Sequence, residues 1–169
     1  MKPIVAKRGL LIVMLLIWIC GIFAFSSQPY KQQNFKPFLS HYIDEDQVSR
    51  FIPAIEIHYS NTNISAKQSP LLFIEYVVRK LAHLLLYAGL AMLLYFVLTR
   101  WRIKNQWSVI LSLLFVAIIG AMDEWNQGFR IGRNESWVDV GIDLCGGVLG
   151  LAAVWIRAII VMWRNRGSK

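Results

Sequence analysis

The sequence predicts an all-α, polytopic membrane protein: a bundle of four transmembrane helices with an extracytoplasmic segment of short amphipathic helices. Three observations carry that fold class. Hydrophobic residues make up 56% of the 169 residues, more than a soluble domain of this length needs. They gather into four apolar runs of membrane-spanning scale, at about residues 10–25, 71–99, 107–122 and 138–157. Lys and Arg concentrate at alternate ends of those runs. A soluble helical bundle would have to hide nearly unbroken apolar helices inside a small body. Residues 1–169 therefore read as one membrane domain.

Met1 to Gly9 carries Lys2, Lys7 and Arg8 and leads into the first run. Ala24-Phe25-Ser26 faintly resembles a signal-peptide cleavage site. Bulky Phe23 and Phe25 suit such a site poorly, so the run reads as a retained span. Residues 26–70 form the one long polar segment. Asp44 reads as a helix cap, with Glu45 and Asp46 in the favourable first turn. Val48, Phe51, Ile52 and Ile55 recur at helical spacing, and Pro53 breaks the pattern. Two short amphipathic helices lying on the membrane surface are expected here.

The second span becomes fully apolar near Leu81, behind Arg79, Lys80 and His83; Arg100, Trp101, Arg102 and Lys104 close it. After the fourth span, residues 158–163 read as a continuation along the interface. Cys20 and Cys145 lie inside apolar runs, without zinc spacing or a sequence neighbour to pair with. They read as buried small hydrophobes.

The net charge is +8. In a soluble protein that would point to nucleic acid. Here Trp101-Arg102 and Trp163-Arg164 end apolar runs, where such pairs act as interface anchors beside anionic lipid. The expected partner is membrane lipid and not nucleic acid. There is no phosphate-binding loop and no nucleotide fingerprint, so no cofactor is expected. The N-terminus, the loop after span two and the C-terminal tail are each rich in Lys and Arg. The loop between spans three and four has Arg130 and Arg133, offset by Asp123, Glu124 and Glu135. The positive-inside rule then predicts cytoplasmic termini, with residues 26–70 and 123–138 facing outward.

That orientation brings two polar sets to one membrane face. Glu75, Arg79, His83 and Tyr87 are four apart and share a face of span two. Asp139, Asp143 and Gly147 share a face of span four. Asp123 and Gln127 share a face of span three if its helix continues past the membrane edge. A carboxylate a turn inside a span is costly unless paired, which singles out Asp143. Arg133 is the first expected partner for it and Lys80 the second. His83, Glu124 and Asp143 are the candidate acid–base residues. Arg79, Lys80, Tyr87, Asp123, Gln127, Arg133 and Asp139 are the candidate ligand-binding residues. Of the two adjacent carboxylates, Glu124 is expected to face inward and Asp123 the surface. The His and carboxylates permit a divalent metal, but no ligand motif demands one, and none is predicted. Gly146-x-x-x-Gly150 is a close-approach signal, with Ala117-x-x-x-Ala121 on span three as its expected partner.

At these residues the chain resembles the VanZ-like family of bacterial membrane proteins. Phe25-Ser26-Ser27-Gln28 follows the first span. Arg79-Lys80-Leu81-Ala82-His83, then Tyr87, is similar to the signature that opens the family's second span. Asp123-Glu124-x-x-Gln127, Gly132-Arg133 and Asp139-x-x-x-Asp143-x-x-Gly146 are similar to its second signature. The chain has Ile131 where the family often has a proline. The resemblance implies a four-helix protein of the bacterial cell envelope, related to one associated with resistance to teicoplanin, a lipid-tailed glycopeptide antibiotic. Two functions are consistent with it. One is an outward polar site, with Arg79, Lys80 and Arg133 as its cations, that binds an envelope lipid or a lipoglycopeptide. The other is a membrane-embedded acid–base enzyme that modifies an envelope lipid or cell-wall precursor. A transporter is least expected from four spans without an obvious repeat.

Overall fold

The computed structural model describes residues 2–28, 34–42, 44–59, 62–129 and 136–166. The described residues form six helices and one hairpin: α1 (Lys2–Ser26), α2 (Lys36–Tyr42), α3 (Glu45–Phe51), β1 (Glu56–Tyr59), β2 (Thr62–Ser65), α4 (Pro70–Arg100), α5 (Asn105–Gly128) and α6 (Trp137–Arg166). Four helices are long and apolar enough to cross a membrane: α1 from Arg8, α4, α5 and α6. The four apolar runs thus form the all-α membrane-type bundle that was expected.

Burial is inverted relative to a soluble protein. Ser108, Ser112, Asp123, Glu124, Asp139 and Asp143 are buried, while Leu85, Trp155, Ile156 and Ile160 are exposed. In a bilayer such exposed side chains face lipid tails as apolar as themselves. Helix association then rests on close packing and interhelical polar contacts. On α5 the buried positions Ser108, Ser112, Val116, Gly120, Asp123, Glu124 and Gln127 form one stripe at helical spacing. Cys20 and Cys145 are free and exposed. This corrects the expectation that they are buried: an apolar run does not say which of its faces turns to the bundle.

Helix α4 is the centre of the bundle and packs against α1, α5 and α6; α5 also touches α1 and α6. Its companion α6 runs parallel to it. Lys80 meets Asp139 and His83 meets Asp143, offsets of 59 and 60 residues. One and two turns on, Gly146 faces the Leu84 carbonyl and Gly150 the Ala88 carbonyl. A Cβ on either glycine would press into those backbone oxygens closer than real Cβ atoms come. The Gly-x-x-x-Gly pair therefore admits α4, not the Ala117–Ala121 surface of α5, which corrects the expected partner. Gly147 is the glycine that meets α5, at Val116 and Leu113. The same register sets Trp163 level with Trp101. Residues 158–166 continue α6 as one helix, because ending at Arg157 would leave it short of that interface.

Helix α4 ends in a Schellman turn. Arg102 N–H donates to the Thr99 carbonyl and Ile103 N–H to the Leu98 carbonyl, with Arg102 at φ 63°. Glycine is usual there, because a side chain in that conformation costs ~1–2 kcal/mol. At mid-span, α1 is fastened by Trp18. Its Nε1 donates to the Leu86 carbonyl at 2.9 Å, and its ring occupies the space beside Gly89.

The segment before α4 packs against it through α2, α3 and β2. The two expected short helices are α2 and α3. Asp44 caps α3 by accepting the Asp46 N–H at 3.0 Å, and α3 ends at Phe51, two residues before Pro53. The hairpin was not expected. Its strands pair Glu56 with Ser65 and Ile57 with Ile64. Its sequence signal is the alternation of Ile55 and Ile57, followed by the Asn61-Thr62-Asn63 patch. It leads into Ala66 and Leu71, which are fully buried at the head of α4.

Candidate functional site

The start of α4, the end of α5 and the start of α6 meet at one end of the bundle. His83 stands about 27 Å along α4 from Trp101, at ~1.5 Å per residue, close to the ~30 Å depth of a hydrocarbon core. The cluster thus lies near the edge opposite the Trp101–Trp163 interface.

Three charged contacts are arranged along α4. Arg79 Nη2 contacts Glu75 Oε1 at 2.9 Å, one turn back on the same helix. Glu75 is buried; helical spacing had placed it on the site face without assigning it a role. One residue on, Lys80 Nζ donates to Asp139 on α6, with the Tyr76 ring 5.2 Å away. Next, His83 Nδ1 lies 3.2 Å from Asp143 Oδ1. The Asp143 side chain is wholly buried and that of His83 is 25% exposed. Below them Tyr87 is fully buried, its ring stacked on His83 at 6.2 Å between centroids and 20° between planes.

Helix α5 contributes both Asp123 and Glu124. They are 0% and 4% exposed, which corrects the expectation that Asp123 faces the surface. Consecutive helical residues point about 100° apart, and α5 is wedged between α4 and α6, so both directions are covered. Asp123 lies beside Tyr87 of α4. Glu124 turns toward α6, where its Oε2 accepts the Ser136 N–H at 2.9 Å. That contact sets a carboxylate at the N-terminal end of α6, where the helix dipole favours it. Helix α5 does continue past residue 122, so Gln127 lies one turn above Asp123 and donates to its Oδ2 at 3.0 Å. Asn126 donates to Ser27 at 3.1 Å and ties the end of α1 to the same region.

Gly120 has no role in the sequence reading. A Cβ there would lie 3.0 Å from Asp143 Oδ2. Its missing side chain lets the carboxylate sit against α5 while reaching back to His83. No sequence signal distinguishes it from other small residues in an apolar run.

His83, Asp143, Lys80 and Asp139 are therefore brought together as two interhelical pairs, with Glu124, Asp123, Gln127 and Tyr87 around them. The expected partner of Asp143, Arg133, lies outside the described residues, as do Arg130 and Glu135. Asp143 Oδ1 is engaged by His83 and not by Lys80, the second expected partner. With the carboxylate ionised, Nδ1–H donates to it and Nε2 keeps its lone pair. A buried carboxylate fixes the orientation and tautomer of a general-base histidine in this way. Among the described residues, no three His, Cys, Asp or Glu side chains are grouped to hold a metal ion.

The family model described as VanZ/LLP1 matches residues 11–160. The chain belongs to the VanZ/LLP1 family. No curated protein and no solved structure matches it. The part of this VanZ/LLP1 chain that matches holds all four spans nearly whole and every residue of the cluster, from Glu75 to Asp143.

Proposed function

We propose that this VanZ-like protein is an acid–base enzyme of the bacterial plasma membrane, acting on the polar head of an envelope lipid or lipid-linked cell-wall precursor. The observation that carries this reading is the His83–Asp143 pair, 3.2 Å apart across two helices. A buried ion pair serves stability poorly compared with apolar packing. A histidine oriented by a carboxylate, with its other nitrogen free, is suited to proton transfer. Glu124, buried nearby with Ser136 held on one oxygen, is the second acid–base group. The alternative of a grip on an anionic head group is less well supported. Arg79 and Lys80, two of its three expected cations, already contact Glu75 and Asp139.

The test is a mass-spectrometric comparison of envelope lipids and peptidoglycan precursors from cells with the protein, without it, and with Glu124→Gln. A species whose mass or abundance changes only with the unaltered protein supports the enzyme. Unchanged species in all three strains overturn it.

A second reading is a binding protein that shields the envelope from a lipoglycopeptide such as teicoplanin. The exposed aromatic rim of Trp125, Phe129 and Trp137 at the same end favours it, since such a rim suits an acyl tail. Protection that survives Glu124→Gln, with lipids unchanged, would select this reading.

The Lys and Arg asymmetry supports cytoplasmic termini and an outward site. A reporter fused at Lys104 is expected to read cytoplasmic and one at Gly132 external. The reverse result would put the cluster on the cytoplasmic face.

A further inference from the structure

Two buried carboxylate oxygens of the cluster have no hydrogen-bond partner among the described residues: Glu124 Oε1 and Asp143 Oδ2. Their residues are 4% and 0% exposed, and both side chains lie among His83, Asp123 and Asp139. As carboxylates they only accept when ionised. Leaving a buried acceptor unmade is costly, more so when it is charged. The protein's own donors nearby already serve other acceptors. Lys80 donates to Asp139, Gln127 to Asp123, the Ser136 N–H to Glu124 Oε2, and His83 contacts Asp143 Oδ1. Charge points the same way. Among the described residues, Glu75, Asp123, Glu124, Asp139 and Asp143 face Arg79 and Lys80 as the permanent cations. These acids outnumber the cations even when His83 is counted as protonated.

We propose that the cluster receives a primary ammonium group carried on a membrane amphiphile. Such a group brings positive charge to an acid-rich cluster. It also brings N–H donors, which both unpartnered carboxylate oxygens accept. A quaternary ammonium brings the charge without donors, and a polyol brings donors without the charge. This inference deepens the proposed reading by naming the head group. It concerns binding only and does not require turnover.

The experiment uses the full chain in detergent, with equal amounts of dioleoyl phosphatidylethanolamine, phosphatidylcholine and phosphatidylglycerol competing for it, and retained lipid counted by native mass spectrometry. The three share tails and phosphate and differ in the head group. Retention of the ethanolamine lipid is expected to exceed the other two by on the order of tenfold, what one charge-assisted hydrogen bond supplies. Glu124→Gln should abolish the preference. If that variant does not fold, Asp143→Asn, which removes one charge and keeps the side chain's shape, should reduce it. Equal retention of all three lipids, or preference for choline or glycerol, overturns the proposal. So does a preference for the ethanolamine lipid that Glu124→Gln and Asp143→Asn leave intact. Unchanged envelope lipids in the cell, together with ethanolamine preference in detergent, would remove the enzyme reading and leave this one standing.

Discussion

Under the proposed acid–base function, Asp143→Asn is expected to lower turnover of the envelope substrate by on the order of 10²–10⁴, the range for loss of a general base or its orienting carboxylate. Protein abundance should change little, since the amide keeps the shape of the carboxyl group in a fully buried place. The asparagine amide can present an N–H to His83. The ring then keeps its proton on Nε2 and has no lone pair to offer there. His83→Ala removes the base itself and should cause a loss of similar size. The double variant should be no worse than the more damaging single one, because residues that act as a unit are not additive. The measurement is the rate of appearance of the altered species in membranes with matched protein levels. Multiplying losses would show that the two residues act separately. Wild-type turnover in Asp143→Asn would show that the pair only holds α4 to α6.

Gly150→Leu is expected to be the most damaging substitution to folding. The helices α4 and α6 approach so closely that even a Cβ at Gly150 or Gly146 meets main-chain oxygen, of Ala88 or Leu84. Backbone cannot rotate out of the way as a side chain can. Relief requires α6 to move off α4, which also pulls apart Lys80–Asp139 and His83–Asp143. Overpacking typically costs ~1–3 kcal/mol, and the loss of two interhelical polar pairs adds to it. The other glycines of α6 form an internal scale. Gly147→Ala should be milder, because its Cβ would meet a Val116 methyl at 3.2 Å, and that side chain can adjust. Gly141→Ala should be neutral or slightly stabilising. Nothing lies within 4 Å of its Cβ position, and alanine is the better helix former by ~1 kcal/mol. The yield of monodisperse protein and its unfolding temperature in detergent give the ranking. Equal behaviour of Gly150→Leu and Gly141→Ala would mean that α4 and α6 do not meet through this face.

The four-helix class, the capped helix at Asp44 and the membership of His83, Glu124, Asp139 and Asp143 in one polar end were legible in the sequence. Each depends on quantities local along the chain. A span is a matter of apolar length, a cap is a residue type at a helix start, and a carboxylate inside an apolar run is costly wherever its partner lies. The partners were not legible. Lys80 pairs with Asp139 and His83 with Asp143 because α6 lies parallel to α4 at one register, set where Gly146 and Gly150 receive the Leu84 and Ala88 carbonyls. The sequence shows that a small face exists on α6 but not which of the other three spans fills it. Asp123 was misread for the same reason. Whether one or both of two adjacent residues are covered depends on where the neighbouring helices lie around α5, and here α4 and α6 cover both directions. Gly120 shows the limit most clearly. It is one glycine in an apolar run until α6 is docked, and then it is the space in which Asp143 sits. Helix identity and depth follow from composition along one dimension, whereas pairing follows from the crossing of surfaces in three.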